Sequence, residues 1–70
     1  MTELNETEKK ILDAAKKVFE AYGYTGARMQ QIADEAEISK ASLHYYFRSK
    51  EKLFDRIFDE TMAEFLPLIS

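Results

Sequence analysis

Apolar side chains recur every three or four residues between positions 11 and 22, and charged side chains occupy the remaining positions. This spacing is typical of an amphipathic helix that lays one face on a core. The predicted inner face consists of Ile11, Leu12, Ala15, Val18, Phe19 and Tyr22. Asn5 and Glu8 form a candidate capping pair, and Gly23 is expected to end the helix in a left-handed conformation. We expect this helix to be a scaffold without chemistry of its own.

Two shorter helices are predicted after a loop at residues 24–28. The first covers residues 29–36, and its inner face consists of Met29, Ile32, Ala33 and Ala36. Glu37 and Ile38 make the turn, with Ile38 filling the angle between the helices, and Ser39 is a good N-cap for a helix over 40–47. Two short helices joined by so tight a turn indicate a helix-turn-helix motif.

The helix predicted over 40–47 has an outer face suited to a nucleic-acid groove. Leu43 and Phe47 are four positions apart and therefore share the inner face. The outer positions are Ala41, Ser42, His44 and Tyr45. A small residue lets the backbone come close to DNA, hydroxyls reach phosphates or base edges, and rings lie against thymine methyls and sugars. This combination favours a helix that reads DNA.

The aromatic run Tyr45, Tyr46 and Phe47 has two interpretations. Consecutive aromatics belong more often to a core than to a contact surface, and Phe47 is assigned to the core. The neighbouring basic residues favour a contact role for Tyr45. Tyr46 stays open, because a tyrosine can bury its ring and keep its hydroxyl in water.

A fourth helix is predicted over residues 50–66, capped by Ser49 and ending near Pro67. Leu53, Phe54 and Ile57 are expected to close a three-helix core. The apolar stripe continues beyond them through Phe58, Met62, Phe65 and Leu66. So small a core has little left to cover this stripe, and exposed apolar patches mark contact sites. We therefore expect residues 67–70 to lead into a further domain.

Charge is distributed unevenly along the 70 residues, whose net charge is −3. Residues 38–56 carry five basic and two acidic side chains, a local charge of +3, while the flanking segments are acidic. Charges farther apart than about 8 Å are largely screened at physiological salt, so an acidic remainder is compatible with a basic DNA footprint.

Several classes of protein are disfavoured by composition. The chain has no cysteine and one histidine, His44, so we expect no disulfide and no metal site. It has no apolar run of about 18 residues and a polar, acidic start, so we expect a cytoplasmic protein rather than a membrane-spanning or secreted one. No nucleophile–base pair and no phosphate-cradling glycine loop is apparent, so we expect neither an enzyme nor a cofactor.

Motifs in their order and spacing over residues 11–53 resemble the DNA-binding domain of TetR-family transcriptional regulators. The similarity includes Ile11-Leu12-Asp13-Ala14-Ala15, Gly23-Tyr24, Ile32-Ala33 and Ala36, and it peaks at residues 39–47 and at Ser49-Lys50-Glu51. The resemblance implies a repressor that binds operator DNA as a homodimer. It also implies a C-terminal domain outside this chain, which dimerises and binds a small-molecule inducer.

The resemblance also implies roles for individual residues. Base or sugar contacts fall on Lys40, Ala41, Ser42 and His44. Phosphate contacts fall on Tyr45, Tyr46 and Lys50, and a base contact falls on Gln30. Because Ala27 replaces the residue that usually contacts a phosphate, we hypothesise, beyond the resemblance, that Arg28 supplies that contact instead. The chain departs from the family pattern at the turn, where Glu37 replaces a usual glycine and implies backbone strain. Ala27 and Arg28 replace the residues that usually cap the second helix.

The sequence therefore predicts an all-α fold: a three-helix, homeodomain-like helix-turn-helix head over residues 1–49 and a connecting helix over 50–66. The predicted function is that of a DNA-binding transcriptional regulator, most simply a repressor released by a ligand. The alternative is a small helical module whose aromatic face binds a partner helix. A strong dependence of binding on salt would distinguish DNA from a protein partner.

Overall fold

A computed structural model describes residues 6–69, with side chains through Glu64, and this part of the chain folds into four helices without a strand. Helix α1 spans Glu6–Gly26, α2 spans Met29–Ala36, α3 spans Lys40–Tyr46 and α4 spans Lys50–Ile69. The predicted all-α architecture, with a helix-turn-helix between two longer helices, is confirmed. Asn5, the predicted cap of the first helix, lies outside the described residues.

The core lies where the four helices meet. Each helix contributes one large side chain with 0% exposure, namely Ile11, Ile32, Leu43 and Leu53. Small buried residues let the helices approach one another: Ala14, Ala15, Ala27, Ala33 and Ala36. The predicted inner faces are confirmed except at Tyr22, which is 58% exposed, and at Phe54 of α4, which is 41% exposed. Tyr22 comes after the buried stretch of α1, which ends at Val18, and only one residue before the helix bends.

Gly23 ends the regular helical segment, as predicted, and bends the chain into one further helical turn. Its backbone angles are φ 74° and ψ 170°, a combination that residues with a Cβ atom adopt only under strain. The positive φ expected at Gly23 is confirmed, but the predicted loop over 24–28 is too long. A further turn, Tyr24–Gly26, follows the bend, because the Ala27 N–H donates to the Gly23 carbonyl at 3.0 Å. The connection to α2 therefore consists of Ala27 and Arg28.

The cap of α2 differs from the usual one, as its sequence predicted. Arg28 precedes the helix and has no side-chain oxygen to accept from the first turn. Gln31 provides a partial cap by reaching back from inside the helix to the N-cap residue. Its Oε1 accepts a hydrogen bond from the Arg28 backbone N–H at 2.8 Å. One donor near the helix start is satisfied in this way.

The turn between α2 and α3 is a Schellman motif that places Glu37 in the left-handed region, at φ 62° and ψ 42°. The Glu37 N–H donates to the Asp34 carbonyl at 3.1 Å, and the Ile38 N–H donates to the Ala33 carbonyl at 3.0 Å. Ile38 packs against the core, as predicted. Among the described residues, Glu37 is the one non-glycine residue with a positive φ, which confirms the expected strain.

Replacing Glu37 with glycine should stabilise the domain. A left-handed conformation costs an L-residue roughly 1–2 kcal/mol, and the greater freedom of glycine in the unfolded chain offsets roughly 0.5–1 kcal/mol of the gain. We expect Glu37→Gly to raise the midpoint of thermal unfolding by about 2–8 °C, measured by circular dichroism. Glu37→Ala is the control, because it keeps the Cβ atom and its strain. Equal gains from both variants would assign the cost to the carboxylate instead.

Helix α4 begins as predicted and extends farther than predicted. Ser49 caps it, with its Oγ accepting from the Lys52 N–H at 3.2 Å. The helix passes through Pro67 to Ile69, because proline removes one backbone hydrogen bond but its φ is compatible with a helix. Residues 67–69 therefore continue α4, which was predicted to end at residue 66.

The apolar side of α4 is only partly covered. Leu53 is buried and Ile57 is half-buried, but Phe54, expected in the core, is exposed. Its ring instead meets the edges or faces of two rings of α1, Phe19 at 5.6 Å and Tyr24 at 5.3 Å between centroids. Phe58 is 54% exposed and Met62 is also exposed, as predicted. The side chains of Phe65 and Leu66, which complete the predicted stripe, lie outside the described residues.

Candidate nucleic-acid interface

Helix α3 is seven residues long and is fixed by a cap at its start and two apolar side chains beneath it. Ser39 is the N-cap, as predicted, with its Oγ accepting from the Ser42 N–H at 3.0 Å. The Ser39 hydroxyl also donates to the Ser42 Oγ at 3.1 Å. Leu43 and Phe47 are buried in the core. These contacts set the rotation of α3 and thereby determine which side chains face outward.

The outward face of α3 consists largely of the residues predicted for it. Lys40, Ala41, Ser42 and Tyr45 are exposed, and Tyr45 is 82% exposed. His44 is half-buried at the border of this face. Because a tyrosine ring as exposed as that of Tyr45 adds little to folding, the ring is available to a partner.

The two adjacent tyrosines of α3 have different environments. Tyr46 is half-buried and packs against the core, whereas Tyr45 lies outside it. Their rings meet edge to face, with centroids 5.1 Å apart. The packing position of Tyr46 matches the interpretation in which its ring is part of the core. Of the two tyrosines, Tyr45 is therefore the one that contributes mainly to the exposed face of α3.

Two predicted contact residues lie at the start of α2. Arg28 is exposed at the N-cap position of α2, at the end of the Ala27–Arg28 connection. Gln30 is also exposed, and its Nε2 donates to the Asp34 Oδ1 at 2.9 Å. That bond orients the Gln30 amide along α2 and occupies one of its hydrogen-bond donors.

Lys50, predicted to contact a phosphate, has a different set of neighbours. Its Nζ donates to three backbone carbonyl oxygens, those of Tyr24 at 2.7 Å, Thr25 at 3.1 Å and Ala27 at 3.0 Å. The same ammonium lies 4.7 Å from the centroid of the Tyr24 ring. An ammonium has three hydrogens to donate, and all three are used here.

The other cations of the basic segment differ from Lys50 and from one another. Arg56 lies 3.8 Å from a Glu8 carboxylate oxygen and 3.5 Å from a Glu60 carboxylate oxygen, so its charge is compensated. Lys40, Arg48 and Lys52 are exposed and make no ion pair within residues 6–64. Arg48 and Lys52 were absent from the predicted contacts. In the sequence all of these residues count alike as positive charges. Only the fold shows which of them are paired and which are exposed.

Other kinds of site have little support in the part of the chain that the structure describes. No group of three or more histidine, aspartate or glutamate side chains there is arranged to hold a metal ion. No helix described is long and apolar enough to cross a bilayer. A shallow groove of about 320 Å³ between α1 and α4 is lined by Phe19, Phe54 and Ile57, with polar residues at its edge. It includes none of the predicted contact residues.

A short helix whose inner face is anchored and whose outer face is exposed, entered through a tight capped turn, defines the helix-turn-helix class of protein. The model of the bacterial regulatory proteins of the tetR family matches residues 11–57. The chain therefore belongs to this family, which confirms the resemblance seen in the sequence.

Relatives and a solved structure agree with the family assignment. The chain is 43% identical over 61 residues to the HTH-type transcriptional repressor NicS of Pseudomonas putida, covering 87% of the chain and 29% of that protein. It is 40% identical over 55 residues to the A-factor receptor protein of Streptomyces griseus, covering 79% and 20% respectively. A crystal structure of a HlyIIR mutant superposes with a TM-score of 0.78 at 42% identity, covering 86% of the chain and 33% of that structure. The chain spans a third or less of the length of each.

Proposed function

We propose that this chain is the DNA-binding head of a transcriptional regulator and that α3 reads operator DNA in the major groove. The observation that carries the proposal is the exposed face of α3, held outward by the burial of Leu43 and Phe47. Exposed cations flank this face in sequence, at Lys40, Arg48 and Lys52. A reading helix needs both features, because base edges give specificity and phosphates give most of the affinity.

The start and middle of α3 are proposed to contact bases and sugars. Ala41 lets the backbone approach the groove, and the Ser42 hydroxyl can accept from or donate to a base edge. His44 offers a ring nitrogen at the border of the exposed face. Lys40 can donate to the O6 and N7 acceptors of guanine.

Phosphate contacts are proposed around this centre. Tyr45 is exposed enough to lay its ring on a sugar and direct its hydroxyl to a phosphate, and Tyr46 can do the same with its hydroxyl while its ring stays packed. Arg28 and Gln30 at the start of α2 are proposed as further contacts. We add Arg48 and Lys52, whose exposed charges have no acidic partner among the described side chains.

The native protein is proposed to act as a homodimer that a small molecule releases from DNA. The chain spans 29% of a relative named as a repressor and 20% of one named as a receptor, which supports a further domain with a ligand site. Two-fold symmetry would place two heads on half-sites one helical turn apart, about 34 Å, or a multiple of that. Helix α4 would connect each head to the further domain, so a ligand could change the spacing of the heads.

The uncovered side of α4 supports this arrangement. Phe58 and Met62 are exposed on the part of α4 that extends past Leu53. Neighbouring apolar side chains on one helix face are covered in a folded protein more often than they are left in water. We propose that the regulatory domain packs against them.

The experiment that tests the proposed function compares His44→Ala with the unmodified protein on two DNA duplexes. One duplex carries an operator selected from a randomised pool, and the other has a random sequence. A good base contact is worth roughly 1–3 kcal/mol, so we expect the preference for the operator to fall about 5- to 150-fold. Affinity for the random duplex should stay nearly constant, because phosphate contacts are retained.

Thr61→Ala is the matched control, because Thr61 is an exposed neutral side chain on the later part of α4. It should change neither affinity. An equal loss on both duplexes would remove His44 from base reading, and unfolding of His44→Ala would make it a core residue. Binding that does not weaken steeply as salt is raised would refute the DNA-binding function and favour a protein partner.

A further inference from the structure

We propose that Lys50 is a positioning residue of the DNA-binding head, which ties the end of α1 to the start of α4 instead of contacting a phosphate. The expected effects on DNA binding rest on the proposed function, whereas the structural role of Lys50 does not. Its structural part concerns one ammonium group and the three carbonyl oxygens of Tyr24, Thr25 and Ala27, at 2.7, 3.1 and 3.0 Å. We call this arrangement the ammonium clamp.

The ammonium clamp supplies hydrogen-bond donors to carbonyl groups that the bend at Gly23 leaves without partners inside the helix. The last carbonyls of a helix lack partners inside the helix and need donors from elsewhere. The bend leaves only the short turn Tyr24–Gly26 behind it, and α1 has no basic side chain in its last turn. Lys50 supplies the missing donors from more than twenty residues farther along the chain. Its positive charge also complements the negative end of the helix dipole.

An apolar backing holds the clamp in place. The Lys50 ammonium lies over the Tyr24 ring, 4.7 Å from its centroid, which is a favourable cation–π distance. The Tyr24 ring packs edge to face on Phe54 of α4, and it stacks on Phe19 of α1 at 5.9 Å. Phe54 follows Lys50 by four residues, so ring and ammonium leave the same side of α4. Rings and clamp therefore join the same two helices.

The position of the clamp relates it to the proposed DNA contacts. Ala27 is followed directly by Arg28, the N-cap of α2, while Lys50 lies between Arg48 and Lys52. The clamp thus fixes two sets of proposed phosphate contacts relative to each other. Because its three N–H groups are already used, Lys50 has no hydrogen left for a phosphate unless a carbonyl gives one up.

Two neighbouring lysines allow a matched test, which is carried out in the longer, dimeric protein proposed above (the native-length protein). Lys50→Met keeps the apolar stem and removes the ammonium, and Lys52→Met makes the same change at an exposed position two residues away. Binding to a selected operator is measured from low to high salt, below the temperature at which either variant unfolds. Backbone hydrogen exchange is measured at residues 26–28, with and without DNA.

We expect Lys50→Met to weaken operator binding on the order of tenfold, as the loss of one charge-assisted contact does, with an unchanged slope of log affinity against log salt. Exchange at residues 26–28 should accelerate. Lys52→Met should reduce the salt slope by about 0.9, the value for one phosphate contact, and leave that exchange unchanged. A reduced slope for Lys50→Met, or operator affinity equal to that of the unmodified protein, would overturn the positioning role.

A measurement on the unmodified protein covers the case in which Lys50→Met does not fold. Nuclear magnetic resonance couplings across hydrogen bonds should link the Lys50 Nζ to the carbonyl carbons of Tyr24, Thr25 and Ala27, both without and with the operator. Loss of these couplings on adding DNA, with the Lys50 Nζ coupled to phosphorus instead, would refute the clamp. Failure of the protein to bind any DNA would refute the proposed function and leave the couplings in the DNA-free protein as a separate result.

Discussion

Leu43→Ala should remove about half of the stability of the domain, although the change lies on the shortest helix. Leu43 has 0% exposure, and replacing a buried leucine with alanine costs about 2–5 kcal/mol. A domain of this size has a total stability of roughly 4–10 kcal/mol. We expect the thermal midpoint to fall by at least about 10 °C, and DNA binding to be lost at the temperatures at which the variant has unfolded. Circular dichroism during heating measures both the midpoint and the helix content.

The comparison with Tyr45→Ala makes this prediction specific. Tyr45 follows Leu43 by two positions and is 82% exposed, with one edge-to-face contact to Tyr46. Its replacement should lower stability by less than about 1 kcal/mol while weakening DNA binding. If the two variants unfolded at the same temperature, α3 would have to be rotated relative to the arrangement described above.

The second large effect concerns the number of heads that engage DNA together. A protein with two linked heads should bind an operator with two half-sites about 10²- to 10⁴-fold more tightly than the 70-residue chain alone. The reason is that the first head, once bound, holds the second at a high effective concentration near its half-site. Titration of both proteins on the same fluorescent duplex, at one salt concentration, measures the ratio.

Two further duplexes and one fusion control this comparison. On a duplex with a single half-site the two proteins should bind within a few-fold of each other, since the second head then has no site. Fusing the 70-residue chain to a parallel coiled-coil dimer should restore part of the difference. Equal affinity of chain and native-length protein for the complete operator would contradict the proposed homodimer.

Local chemistry made much of the helix-turn-helix predictable from sequence. The N-caps Ser39 and Ser49 are short-range signals, and the inner positions Leu43 and Phe47 follow from helical spacing. The left-handed residue at position 37 is likewise a property of one tight turn. Each of these features involves residues within a few positions of each other, so sequence patterns capture them.

Long-range contacts explain what the sequence did not predict. Carbonyl oxygens of the extra turn after Gly23 accept hydrogen bonds from Lys50, which belongs to another helix. No local sequence pattern contains that pairing. The same contact distinguishes Lys50 from Arg48 and Lys52, which look alike in a charge count. The family resemblance placed Lys50 among the phosphate contacts, and only the position of the α1 end relative to α4 suggests another role.

Leu43 and Phe47 are buried beneath α3, whereas Tyr45 on its outward face is exposed. This difference bears on how the sequences of related proteins diverge. Surface substitutions away from special features usually change stability by no more than about 0.5 kcal/mol. Changes at Ala41 or Tyr45 therefore affect the stability of the fold little, because these side chains are exposed. If α3 reads DNA as proposed, selection on these side chains acts mainly through the choice of DNA sequence. A duplicated gene could thus acquire a new set of target promoters by single steps, each of which leaves a folded protein.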